Sequence, residues 1–121
     1  MSLFAFAGAS TCVSLSASAS QASTVTGAAV DLLDYDAPVA IVQNHGTGTG
    51  TLDGKIQDRA DGSTGWADVS GAVFSQSTTT ADCKVIALNP KAIRRYIRYV
   101  GTIVTGPQNV AVALVGVKKS V

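Results

Sequence analysis

Two strand-turn-strand patterns constrain the fold of this chain more than any other feature of its sequence. Residues 55–69, KIQDRADGSTGWADV, place Asp61 and Gly62 between two extended segments. This pair is typical of a tight turn, because aspartate bonds the downstream backbone and glycine tolerates positive φ. Residues 94–100, RRYIRYV, form another extended segment. Neither stretch sets out a reactive side chain, so we expect a β-sheet protein that works through its surfaces.

The composition also favours an all-β domain. The chain has 121 residues, contains no glutamate and only one methionine, and is rich in β-branched and turn-forming residues. A chain of this length forms one domain with a single core. Apolar and polar residues alternate with period two at residues 11–15, 27–33 and 39–43. We therefore predict an antiparallel two-sheet β-sandwich, jelly-roll-like, with about eight strands.

The C-terminal third carries the longest β pattern. Residues 94–104 and 110–117 are predicted as paired neighbours, joined by a hairpin through residues 106–109, GPQN. Both strands are apolar on two sides, whereas an outer sandwich strand needs an apolar residue only on its inner side. We therefore expect another element or subunit to cover part of the outer face. Residues 45–54, HGTGTGTLDG, are predicted as a loop or a loosely specified edge.

The first 24 residues are predicted as an Ala/Ser-rich arm, and residues 25–121 as the β-sandwich domain. The arm resembles a secretory signal in its apolar start and small residues, but no Lys or Arg precedes the apolar patch. Leu3, Phe4 and Phe6 are too few to span a bilayer, and no later apolar run approaches the roughly 20 residues of a transmembrane helix. We expect a soluble chain whose arm docks on another subunit, because free termini of this composition usually fray.

The pattern K-I-Q-x-x-x-D-G-S-T-x-W-x-D-V, a polar loop, then R-Y-I-R-Y and a Val/Ala-rich closing strand resembles a family of small tailed-phage virion proteins. The likeness covers roughly the last 95 residues, from Val25 onward. It departs at the arm and at Gly65, an additional residue before the tryptophan. The matching positions are Lys55, Ile56, Gln57, Asp61, Gly62, Ser63, Thr64, Trp66, Asp68, Val69, Arg95, Tyr96, Ile97, Arg98 and Tyr99.

The resemblance implies a decoration, or cement, protein that binds the outer surface of a phage capsid. Its expected partners are the major capsid protein and further copies of itself in a homotrimer, and its expected location is the virion surface. We expect no catalytic activity, cofactor, metal or membrane contact. Two alternatives stay open: a β-sandwich module that binds carbohydrate or a host surface, and a head-to-tail or tail component of the virion.

The basic cluster of Arg94, Arg95 and Arg98 is interleaved with Tyr96 and Tyr99. Such a pattern can bind single-stranded nucleic acid, but the formal net charge is only +1, so no broad attractive field exists and nucleic acid is not the expected partner. The arginines are predicted either to pair with aspartates or to contact a protein. The candidate protein-interface residues are Leu3, Phe4, Phe6, Arg94, Arg95, Arg98 and Tyr99.

Other residues that suggest a sharper chemistry have simpler explanations. His45 is the single histidine, and no nucleophile or orienting carboxylate stands near it in the sequence, so catalysis is not expected. Asp58 lies near a partial calcium-loop pattern without the closing glutamate, and a hydrogen-bonded turn is favoured. Trp66 is predicted as a core or rim residue, with a sugar platform as the alternative. Cys12 and Cys83 are predicted as buried thiols, with one disulfide between them left open.

Overall fold

The computed structural model describes residues 10–35, 37–60 and 64–117, and regular structure in these ranges is entirely β. Within them, no helix has the length and hydropathy needed to cross a membrane. The strands are β1 (Ser10–Gln21), β2 (Val25–Thr26), β3 (Val30–Asp31), β4 (Val39–Gly48), β5 (Thr51–Arg59), β6 (Ala67–Val73), β7 (Asp82–Leu88), β8 (Tyr96–Val104) and β9 (Gln108–Val117).

The strands form two antiparallel sheets. Sheet I has the order β1-β9-β4-β7, and sheet II has the order β2-β8-β5-β6, with β3 also paired to β8. This order arises when one long antiparallel hairpin is wrapped into two facing sheets, which is the jelly-roll arrangement. The predicted all-β, two-sheet sandwich is therefore confirmed. Its strands number nine in the described ranges, of which two are only two residues long.

The core lies between the sheets because alternate residues of each strand point inward. The β4 and β9 side chains alternate between buried and partly exposed along most of both strands. Each fully buried aliphatic side chain contributes about 2 kcal/mol from the area it removes from water. The core includes the buried side chains of Leu15, Leu32, Tyr35, Val39, Ile41, Leu52, Ile56, Phe74, Leu88, Ile97, Tyr99, Val110, Val112 and Leu114.

Two connections cross from one sheet to the other at the same end of the sandwich. The β4-β5 connection contains Gly50 at φ +81°, and a Cβ there would overlap the carbonyl oxygens of Val104 and Thr105. Glycine is the residue that tolerates both this backbone angle and this close approach. The amide of Thr49 donates to the Pro107 carbonyl at 2.8 Å. The two connections therefore pack against each other and form a corner.

The predicted pairing of the last two long strands is wrong. Strand β8 pairs with β5 along its whole length, from Val104 opposite Thr51 to Tyr96 opposite Arg59. Strands β2 and β3 occupy its other edge. Because both edges of β8 are taken, the turn after it leads the chain across to sheet I, where β9 lies between β1 and β4. Of the predicted hairpin loop, Gly106 and Pro107 lie in the connection, whereas Gln108 and Asn109 already belong to β9. A local turn pattern does not specify which sheet receives the next strand.

The sandwich begins earlier in the chain than the predicted boundary at residue 25. Residues from Ser10 to Gln21 form β1, which pairs with β9 from Val117 to Gln108. An edge strand needs apolar residues only on its inner side, and Leu15 supplies a fully buried one. The interface candidates Leu3, Phe4 and Phe6 lie outside the described residues, as do Asp61 and Gly62 of the predicted turn.

The Gly/Thr-rich segment at residues 45–54 contributes to two strands and is not a long loop. His45 and Gly48 belong to β4 and pair with β9, while Gly54 belongs to β5 and lies opposite Gly101. The absence of side chains at Gly54 and Gly101 leaves room for the ring of Tyr99, which a Cβ at either position would press. These glycines therefore serve the packing between sheets.

Candidate interaction surfaces

The outer face of sheet II carries stacked arginine and aromatic side chains, here called the arginine-aromatic row. The Arg98 guanidinium carbon lies 4.4 Å from the Trp66 ring centroid, and that of Arg59 lies 5.0 Å from it. Arg59 is also 4.2 Å from the Tyr96 centroid, and Arg95 is 5.1 Å from it. The order along the row is therefore Arg98, Trp66, Arg59, Tyr96 and Arg95, held by cation-π attraction.

Strand register brings this row together. In the β5-β8 ladder, Arg59 lies opposite Tyr96, and Gln57 lies opposite Arg98. Directly opposite residues on one face of an antiparallel pair have neighbouring side chains. Trp66 directly precedes β6, the strand next to β5 in the sheet, and its ring joins the row from that side. Three segments distant in sequence thus build one continuous surface.

Carboxylates flank the row and neutralise part of its charge. Arg95 makes a two-point contact with Asp31, through Nε to Oδ1 at 2.9 Å and Nη2 to Oδ2 at 2.7 Å. The hydrogen bond from Arg95 lowers the pKa of Asp31. Hydrogen bonds from Gln57 and Lys55 likewise lower the pKa of Asp68. Such charge-assisted bonds keep both carboxylates ionised to a lower pH than a free aspartate.

Arg94 has a structural role beside the row. Its Nε donates to Asp58 Oδ1 at 2.9 Å, and its backbone amide donates to Asp58 Oδ2 at 3.0 Å. Its Nη2 also donates to the carbonyl oxygens of Asp58 and Gly65, at 2.6 and 2.9 Å. These bonds connect the end of β5, the segment before β6 and the segment before β8. The Asp58 carboxylate is therefore paired with Arg94, which is one of the two roles predicted for the arginines. Asp58 itself lies on strand β5 and not in the hydrogen-bonded turn that the sequence favoured.

Arg59 and Arg98 differ from the other two arginines because neither contacts a carboxylate among the described residues. Arg98 Nε donates to Gln57 Oε1 at 2.9 Å, and Arg59 Nη1 donates to the Ala60 carbonyl at 3.1 Å. The Nε of Arg59 is buried without a hydrogen-bond partner in the described part of the chain. The middle of the row is therefore positively charged.

The sequence prediction located part of this surface. Arg98 and Arg95 lie on it, as an interface role would require, whereas Arg94 is engaged in the bonds to Asp58. Tyr99 is a correction: its side chain is fully buried, because the alternation of β8 points it into the core. Arg59 was missed. Alternation along β5 places Arg59 on the same side of the strand as Gln57. It does not show which residues of β8 lie next to Arg59.

The outer face of sheet I carries no charged side chain among the described residues, and we call it the apolar face. Val42 lies between Val85 of β7 and Ala113 of β9 in the strand register. Val85 is 61% exposed. Small side chains in the middle leave a shallow hollow of about 380 Å³. The outward side chains are Cys12, Ser14, Ala40, Val42, Asn44, Cys83, Val85, Ala87, Asn109, Ala111, Ala113, Val115 and Val117.

Both cysteines lie on the apolar face, so the prediction of buried thiols is wrong. Cys12 and Cys83 are exposed free thiols. They belong to β1 and β7, the opposite edges of sheet I. Three strand spacings separate them, roughly 14 Å, and a disulfide requires Cα atoms less than about 7 Å apart. A bridge within one chain is excluded by this geometry.

His45 belongs to a buried polar cluster near the corner. Its Nδ1 faces the Thr80 carbonyl oxygen at 3.2 Å, and its Nε2 contacts Gln108 Oε1. Gln108 Nε2 donates in turn to the Thr49 carbonyl at 2.7 Å. The imidazole therefore bonds the chain segments that meet at this end of the sandwich. Among the described residues, no group of three or more His, Cys, Asp or Glu side chains is placed to hold a metal ion.

Comparison with known proteins identifies the fold but no family. No family model matches the chain, and no curated protein matches it. The crystal structure of SPBc2 prophage-derived protein YomS is similar to it, with a TM-score of 0.54 over 90% of this chain and 93% of that chain. The two sequences are 9% identical. The similarity thus extends over nearly the whole of both chains and shows a shared β-sandwich fold.

Proposed function

We propose that this protein is a structural component of a tailed-phage virion that binds the outer surface of the capsid and stabilises or decorates it. The observation that carries the proposal is the apolar face of sheet I, which the described part of the chain leaves in contact with solvent. The same role is supported by the fold that this protein shares with a prophage-derived protein and by its sequence resemblance to small phage virion proteins.

The size of the apolar face favours repeated contacts over one strong contact. Four strands and about five residues along each give roughly 300 Å² of projected area. A stable interface buries about 800 Å² on each partner, so a contact through this face alone has modest affinity. Modest contacts repeated on a lattice still produce strong attachment through avidity. This is the arrangement we propose, with a homotrimer bound to the major capsid protein.

Two valines allow a matched test of self-association. Val85 on the apolar face is 61% exposed, and Val73 on sheet II is 60% exposed. We expect sedimentation velocity at micromolar concentration to give a trimer for the natural protein and for Val73→Asp. Val85→Asp should sediment as a smaller species, because it places a charge in the uncharged face. A monomeric natural protein, or an unchanged Val85→Asp, would contradict the role of this face.

Attachment to capsids needs its own assay. Heads assembled without this protein are mixed with the purified natural protein, Val85→Asp or Val73→Asp, then pelleted and quantified. We expect saturable binding by the natural protein and Val73→Asp, and much lower occupancy by Val85→Asp. Binding to isolated tails but not to heads would favour the tail-component alternative and reject decoration.

The carbohydrate-binding alternative has less support. It requires a bare aromatic ring on which a sugar can stack, and Tyr99 is buried in the core. The guanidinium groups of Arg59 and Arg98 lie over Trp66. Those of Arg59 and Arg95 lie over Tyr96. Sugar stacking on either ring would have to displace these cations. A glycan that binds and changes Trp66 fluorescence without disturbing Arg59 or Arg98 would revive this alternative.

A further inference from the structure

The middle of the arginine-aromatic row has the chemistry of an anion-binding site. A guanidinium group has five N–H donors. Arg98 uses one of them on Gln57, and Arg59 uses one on Ala60. Four donors on each arginine are therefore without a partner in the described part of the chain. Because the donors lie in the guanidinium plane, stacking over Trp66 leaves the unpartnered Nη donors available at the edge of the stack, whereas the Nε of Arg59 is buried.

We infer that Arg59 and Arg98, which both stack on the Trp66 ring, bind carboxylates of an acidic, extended protein segment. The inference extends the proposed function by naming the chemistry of a partner. It rests on that proposal only for the identity of the partner as a virion protein. The site itself is defined by the two arginines and the Trp66 ring on which both stack.

The spacing of the arginines suits two carboxylates on one extended segment. Their distances to the shared Trp66 centroid, 4.4 and 5.0 Å, limit the separation of the two guanidinium carbons to 9.4 Å. Side chains two residues apart on a strand point to the same side and are separated by about 7 Å. An Asp-x-Asp pattern can therefore place one carboxylate at each arginine. Stacking also reduces the side-chain freedom that binding would otherwise remove.

The charges around the site favour a short acidic peptide over a nucleic acid. Asp31 pairs with Arg95 at one end of the row, and Asp68 accepts a bond from Gln57 at the other. Gln57 also contacts Arg98 through its Oε1. A polynucleotide backbone following the row would meet these carboxylates. A segment with only two adjacent anionic groups fits between them.

Trp66 provides the readout because it is the chain's single tryptophan. The probe is a capped hexapeptide of alternating aspartate and serine, and the matched control peptide has asparagine in place of aspartate. We expect a saturable change in Trp66 fluorescence with the first peptide and none with the second. The affinity should fall with added salt, because exposed charges are screened.

Variants separate this site from a general charge effect. Arg59→Gln and Arg98→Gln should each weaken binding about tenfold or more. Lys91→Gln removes the same charge outside the row and should leave the affinity within about twofold. If Arg98→Gln does not fold by circular dichroism, Arg98→Met keeps the packing of the stem on Trp66 and takes its place. If Arg59→Gln does not fold, Arg59→Met takes its place in the same way.

Four results would overturn the inference: no saturable response to the aspartate peptide, equal binding of the asparagine peptide, equal weakening by Lys91→Gln, or tighter binding of an oligothymidine single strand. The last would identify a nucleic-acid site. Failure of this inference is distinguishable from failure of the proposed function. Val85→Asp should retain peptide binding while losing head attachment, whereas heads that are decorated normally by a protein unable to bind the peptide would reject only this site.

Discussion

The buried hydroxyl of Tyr99 connects the two sheets, and its removal tests how the core is held together. Tyr99 is on β8 of sheet II, and its O–H donates to Gln43 Oε1 on β4 of sheet I at 2.7 Å. Both residues are fully buried. The Nε2 of Gln43 already has no hydrogen-bond partner among the described residues. Tyr99→Phe would therefore leave both polar atoms of the buried Gln43 side chain, Oε1 and Nε2, without a hydrogen-bond partner among the described residues.

The expected cost of Tyr99→Phe is about 2 kcal/mol of unfolding free energy. The lost hydrogen bond accounts for about 1 kcal/mol, and the unpaired carbonyl oxygen adds about 1 kcal/mol or more. Replacing both partners, as in Tyr99→Phe with Gln43→Leu, removes the unpaired group and should recover most of this loss. The double variant is thus the control that separates an unpaired polar group from a packing defect.

Urea unfolding of the natural protein, Tyr99→Phe, Gln43→Leu and the double variant at equal protomer concentration measures these differences. Equal concentration matters because self-association adds to apparent stability. With unchanged m-values, the midpoint differences report stability directly. A loss below about 0.5 kcal/mol for Tyr99→Phe, or a double variant less stable than Tyr99→Phe, would refute the reasoning.

Three further predictions concern other parts of the sandwich. Burial raises the pKa of Tyr99, so its stabilising effect is complete below the unfolded phenol pKa of about 10 and declines as pH rises above it; Tyr99→Phe should lack this alkaline loss in urea titrations. Asp58→Asn should cost about 2 kcal/mol, because Arg94 loses its charged partner; a change within about 0.5 kcal/mol would contradict that role. Gly50→Ala should destabilise more than Gly71→Ala in thermal melts, since both have positive φ but only Gly50 also lacks space for a Cβ; equal losses would show that the close approach is unimportant.

The sandwich could be predicted from sequence because its central strands alternate clearly. Strand β9 shows the two-sided apolarity expected of a partly covered strand: Val112 and Leu114 are buried, while Ala113 and Val115 face outward. Strand β1 was harder to recognise. Its described outward side chains, Cys12 and Ser14, are small, and a Ser/Ala-rich strand has the composition of a terminal tail. Its hydrogen bonds to β9 stabilise β1 as a strand, although its residues have a low strand propensity.

The candidate surfaces were predictable only in part, because they depend on register between distant strands. Arg98 is recognisable as a basic residue on a strand, but the stacking of Arg59 on Tyr96 requires the β5-β8 register. The burial of Tyr99 follows from alternation once the inner side of β8 is known. Which sheet receives β9 depends on the occupied edges of β8, and a local turn pattern contains no information about those edges.

Electron cryomicroscopy of phage heads assembled with and without this protein tests the central claim most directly. We predict trimeric jelly-roll density on the outer surface of the heads that contain the protein, with the apolar face turned away from solvent. Heads made without it should lack that density, and heads supplied with Val85→Asp should show lower occupancy. Identical head reconstructions with and without the protein, or an apolar face exposed to solvent in bound density, would contradict the account.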